Sequence, residues 1–142
     1  MAAAEELVTP KLRDLAGVRV EELDPLLEEE IALWNRVLDW DFQGSADLVR
    51  RYVASGALSG YVLEAGPRLV GYAYFVPDPP KSLIGDLFLS EGYWTPANER
   101  LLLGAVLGAS MRSRGIHRIE AQLMLLRGAP QDPLPGGAYL TT

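Results

Sequence analysis

The sequence predicts an α/β domain built on a mixed sheet, an antiparallel meander joined to one parallel strand–helix–strand crossover. Three observations predict it. The run from Leu83 to Leu89 is apolar, too short for a helix and fit for a buried strand. Thr95 and Pro96 then supply a cap and a first helical residue, and the apolar stretch that follows runs to Arg112 before Gly115 stops it. The alternating run from Arg118 to Leu123 returns as a second strand. A strand, a helix and a returning strand of these lengths form a parallel pair with a right-handed crossover.

The elements before it follow in order. Residues 1–17 read as a leader, polar and alanine-rich over 1–16, and the alternating stretch 18–23 reads as a first strand. Asp24 and Pro25 form a helix start, with Leu27, Ile31, Trp34 and Leu38 on one apolar face. Glu28, Glu29 and Glu30 lie mostly outside that stripe and read as a solvated acidic face. Residues 39–44 are a connection. Ser45 can cap a second helix, with Leu48, Val49, Tyr52 and Val53 turned inward, Arg50 and Arg51 outward, and Gly56 as the stop. Residues 60–65 and 69–76 flank the turn Gly66-Pro67-Arg68 and form a hairpin. Residues 78–81, with two prolines, make a stiff turn into the strand at Leu83. Residues 18–126 are thus one domain. Residues 127–142 are a tail rich in breakers, with one short strand expected at 138–142.

Composition narrows the function. The chain has 142 residues, 49 % hydrophobic and 23 % charged, which suits one globular domain with a real core. A net charge of −6 argues against nucleic acid, which needs a basic stripe. With no cysteine and one histidine, disulfides, thiolate nucleophiles and Cys or His metal clusters are excluded. No apolar run reaches membrane-spanning length, and the first residues lack the pattern of a secretion signal, so the cytoplasm is expected.

The segment from Asp86 to Tyr93, the helix after it, and the stretch from Arg114 to Ile119 together resemble the cofactor motif of the GNAT superfamily of acyl-CoA N-acyltransferases. That pattern is a strand ending in Leu-Phe-Val, a loop Arg/Gln-x-x-Gly-x-Gly/Ala, a helix, and Gly-x-x-Arg-Ile opening the next strand. Gly71-Tyr72-Ala73 also matches a run common in such domains. The resemblance implies acetyl-CoA as cofactor. Backbone groups of Leu87, Phe88 and Leu89 would hold pantetheine, and the segment with Trp94, Thr95, Ala97, Asn98 and Glu99 would hold pyrophosphate. Here the loop departs from the pattern. Trp94 stands at the Arg/Gln position, Ala97 and Glu99 stand at the glycine positions, and Pro96 brings no N–H. A Glu99 carboxylate ~5 Å from a phosphate charge would cost roughly 3 kcal/mol at an effective dielectric of ~20. Weak acetyl-CoA binding, or none, is the expectation.

For the base, some members carry Glu where Gly85 stands. Asp86 is the carboxylate that remains, readable as a base or as a hydrogen-bonded structural group. The resemblance further implies that a complete domain carries another helix and two strands after 118–124. The expectations are an acetyl-CoA-dependent N-acetyltransferase acting on a small or protein amine, as the N-terminal part of a longer or tandem protein, or a non-catalytic GNAT-fold module for dimerisation. The sheet edge at 118–124 predicts pairing with a second copy or a second such domain.

Overall fold

The computed structural model of the chain describes residues 9–123 and Leu125. The leader's first eight residues and the tail 127–142, with the strand expected at 138–142, lie outside them. The elements run β1 (Lys11–Asp14), a 3-10 turn (Leu15–Gly17), α1 (Val20–Leu38), α2 (Gln43–Ala54), β2 (Ser59–Ala65), β3 (Arg68–Asp78), β4 (Lys81–Leu89), α3 (Pro96–Arg112) and β5 (Arg118–Ala121). They form one sheet in the order β1-β2-β3-β4-β5. The first four strands pair antiparallel. β5 runs parallel to β4, with Lys81 opposite Arg118 and Ile84 opposite Ala121. This is the meander and crossover that the sequence predicts.

Each face of the sheet carries a helical layer. On one side α1 and α2 cover Val62, Leu69, Tyr72 and Phe88. On the other, α3 packs Leu102, Leu103, Val106 and Leu107 against Leu63, Val70, Ala73, Ile84, Leu87 and Leu89. Adjacent strand residues thus feed opposite cores, as a pleated strand buried on both faces requires.

The N-terminal third differs from the sequence reading. The stretch 18–23 is not a strand, because Val20 already opens α1. Leu23, Leu26, Leu27 and Leu33 make one buried stripe at helical spacing, and this outweighs the short alternation. Pro25 therefore lies in the second turn rather than at the first position. Glu22 secures the new start by accepting the Arg19 N–H at 2.9 Å. The first strand lies earlier, in the supposed leader, where Lys11–Asp14 pairs with Tyr61–Glu64. Arg13 ties it down through Glu22 and Glu64.

Three helical assignments are also corrected. Leu38 is exposed, as are Leu48 and Tyr52, while Ala46 joins Val49 and Val53 on the inward face of α2. α2 begins at Gln43, before Ser45, with Phe42 at the cap position and its ring stacked on Trp34. Arg50 does not face out. It reaches Asp24, Glu28 and Asp47 at 2.6–2.7 Å and pins α2 to α1.

Candidate active site

The site forms where β4 outruns β5. Their pairing ends at Ile84 and Ala121, yet β4 continues to Leu89. Gly85 is an extra residue at this point: Tyr74 pairs with Asp86, and the next residue, Phe75, pairs with Ile84. Such a bulge bends and twists the strand. The Tyr74 ring occupies the space above Gly85, within 2.1 Å of where a Cβ would stand.

Alternation decides which backbone groups face the open edge. The Ser90 N–H bonds the Val70 carbonyl at 2.8 Å, so Ser90 faces β3. Counting back by two, Phe88 also turns its backbone to β3, while Leu87 and Leu89 turn theirs to the β5 side. There no strand meets them among the described residues. The Leu87 N–H is already held by Asp86 Oδ1 at 2.9 Å. The groups left for an extended ligand are the Leu87 carbonyl and both groups of Leu89. Of the three residues that the resemblance assigns to pantetheine, Leu87 and Leu89 turn their backbone to the open edge, and Phe88 turns its backbone to β3.

Asp86 itself faces α1 and is 8 % exposed. Tyr72 Oη lies 2.9 Å from Asp86 Oδ2 and 2.5 Å from Glu30 Oε1. The Trp34 indole N–H donates to Glu30 Oε2 at 3.0 Å. Glu30, read from the sequence as solvated, is fully buried. Burial first, then the negative charge and hydrogen bonding of Asp86, push its carboxyl well above the usual range, against the opposing bonds from Tyr72 and Trp34. Burial and the charges of Asp86 and Glu30 also raise Tyr72, and they push Tyr74 up to about 12. Glu29, its neighbour in the acidic run, is engaged too. It accepts from Ser90 Oγ and the Glu91 N–H, each at 2.8 Å, and Arg68 donates to Ser90 Oγ at 2.8 Å. The sequence signal for Glu30 is its place in α1: once the helix starts at Val20, Glu30 falls on the stripe of Leu23, Leu26, Leu27 and Leu33.

The loop before α3 is closed on itself. Gly92 turns with φ +86. Thr95 caps the helix as predicted, its Oγ1 accepting the Asn98 N–H at 3.1 Å. The Thr95 carbonyl takes the Glu99 N–H, and Asn98 Nδ2 holds the Tyr93 carbonyl. Pro96 has no N–H, so in the first turn Ala97 offers the donor that no described residue takes. Glu99 is 5 % exposed and turned inward, where its Oε2 accepts the Trp94 indole N–H at 2.8 Å. Trp94 stands edge-on to Phe88 and touches both cores. Tyr93 lies under the Arg68 guanidinium. His117 is exposed, with its backbone N–H on the Pro80 carbonyl.

Comparison with solved structures places this fold. The PaiA N-acetyltransferase of Thermoplasma acidophilum, solved with coenzyme A, matches at 14 % identity and a TM-score of 0.58 over 74 % of each chain. A GCN5-related N-acetyltransferase from Ralstonia eutropha matches at 14 % identity and 0.59, over 80 % of this chain and 83 % of that one. A ribosomal-protein-alanine N-acetyltransferase from Brucella melitensis matches at 10 % and 0.56, over 83 % and 82 %. No family model and no curated protein sequence matches. The chain carries a GNAT-fold domain: the mixed five-stranded sheet, the crossover through α3 and these neighbours agree.

Proposed function

We propose that this domain is an acyl-CoA-dependent N-acyltransferase with Asp86 as its proton acceptor. One observation carries the reading: the Asp86 carboxylate holds the N–H of Leu87, a residue whose backbone lines the open edge of β4. A thioester laid along that edge would have its carbonyl beside a buried carboxylate. In the transfer, the amine's N–H bond breaks toward Asp86 and its lone pair forms the C–N bond. The C–S bond breaks, sulfur leaves with the electron pair, and the proton passes on to the thiolate. One proton moves from nitrogen to sulfur, and no other reactant is needed. Acetyl-CoA is the simplest donor, and the acceptor is a small or protein amine.

The loop supports a second reading. With Thr95 Oγ1 holding the Asn98 N–H, Pro96 bringing none and Glu99 folded onto Trp94, the helix end offers a diphosphate little. A module that has lost its cofactor and pairs through the β5 edge would look the same there. Release of free thiol from acetyl-CoA with a panel of amines separates the two. Turnover by the native chain that Asp86→Asn abolishes supports the enzyme, and no turnover together with no calorimetric binding of acetyl-CoA supports the module.

A further inference from the structure

Glu30, Tyr72 and Asp86 present an accounting problem in protons. The Tyr72 hydroxyl has one hydrogen but lies within hydrogen-bond distance of two carboxyl oxygens, at 2.5 and 2.9 Å. It can donate to only one. If both carboxyls were ionised, the other would press a bare negative oxygen against the phenol oxygen in a buried place. The three groups must therefore hold one more proton than their ordinary charges at neutral pH would give.

The surroundings say where it sits. Glu30 lies deepest, and its second oxygen is satisfied by the Trp34 indole N–H. Asp86 has a backbone donor, Leu87, on its other oxygen and is the less buried of the two. The groups facing the pair are Trp34 from α1, Tyr72 and Tyr74 from β3, and the Leu87 amide from β4. No cation forms a salt bridge with either carboxyl among the described residues.

We propose that Glu30 is a neutral acid donating to Tyr72, that Tyr72 in turn donates to an ionised Asp86, and that Glu30 and Tyr72 are positioning residues for Asp86 as proton acceptor. The first part concerns the molecule alone, and the last rests on the acyl-transfer reading. The chain of donors fixes the Tyr72 proton toward Asp86. It orients the carboxyl through Oδ2 and leaves Oδ1 on the Leu87 amide at the β4 edge. Without Tyr72, Asp86 Oδ2 would lose the donor that orients it.

Two measurements on the intact chain test this. Infrared difference spectra at neutral pH, wild type against Glu30→Gln, should show the carbonyl stretch of a protonated carboxyl that the variant lacks. The amide of Gln can still donate to Tyr72, so the variant should fold. Should it not, Tyr72→Phe serves: the acid band should move to higher wavenumber as its acceptor is lost. No acid band in the wild type, or a band removed by Asp86→Asn and kept by Glu30→Gln, overturns the assignment. The positioning role is read from kcat against KM. Tyr72→Phe should lower kcat about tenfold or more and leave the KM for acetyl-CoA in place, and Glu30→Gln, whose amide can still donate to Tyr72, should keep more of kcat than Tyr72→Phe does. An unchanged kcat in Tyr72→Phe overturns that role. An intact acid band in a protein without turnover on any amine would instead defeat the transferase reading and the positioning role with it, and leave the proton assignment standing.

Discussion

The Trp94 indole N–H and the Glu99 carboxylate are joined at 2.8 Å across the first turn of α3. The bond turns an acidic side chain inward at the end of the crossover where a phosphate would approach. Glu99→Gln keeps an oxygen for the indole and takes away the acidic group. Its acetyl-CoA affinity should rise in calorimetric titration, and an unchanged or lower affinity would show that the acid does not oppose the cofactor. Ala97→Gly should add to the gain, since Ala97 presents the first-turn donor that no described residue takes.

Glu30 makes stability depend on pH in a defined direction. Its folded-state affinity for protons is raised above the ordinary 4.5. The folded chain therefore binds more protons than the unfolded chain above that pH. The contribution of Glu30 is fully present below about 4.5 and is lost as pH rises through its raised value. Urea unfolding from pH 5 to 9 should show wild type losing stability relative to Glu30→Gln as pH increases, by at most about 1.4 kcal/mol per pH unit. A constant difference across the range would contradict this.

Gly85 has no room for a side chain. A Cβ there would stand 2.1 Å from the Tyr74 ring. Gly85→Ala should lower stability by about 1–3 kcal/mol, the usual cost of overpacking. Tyr74→Ala in the same chain should recover part of the loss, and thermal melts of the two variants and the double variant measure the coupling.

Glu29 holds the start of the β4–α3 loop through Ser90 and Glu91. Glu29→Ala should speed hydrogen exchange at the Glu91 amide by tenfold or more, corresponding to about 1.4 kcal/mol of lost protection. The amides of β2 should be unaffected.

The strands and the crossover were legible because their signals are local. Thr95 and Pro96 mark the start of α3, and Gly66-Pro67 marks the hairpin; at the other end α3 stops at Arg112 with Ser113 extended, two residues before the left-handed Gly115. The start of α1 was not, because Asp24-Pro25 imitates a cap while the evidence against it is a stripe reaching back to Leu23. The same imitation masks the buried carboxyl: a stripe through Leu27, Ile31, Trp34 and Leu38 leaves Glu30 outside, whereas the stripe through Leu23, Leu26, Leu27 and Leu33 includes it. Asp86 was found through the resemblance, but its surroundings were out of reach. Simple alternation puts Ile84 and Asp86 on one face, and the bulge at Gly85 sends them to opposite faces. No pattern in the sequence announces that Tyr72, fourteen residues away, bridges Asp86 to Glu30.

Glu29 and Glu30 are consecutive residues of one rigid helix, and they grip different parts of the molecule. Glu29 holds the loop ahead of α3, and Glu30 holds the hydroxyl under the sheet. A turn of α1 about its axis cannot release one without displacing the other. The helix is thus a common mount: the register of α1 sets the place of the loop's anchor and of the buried acid together.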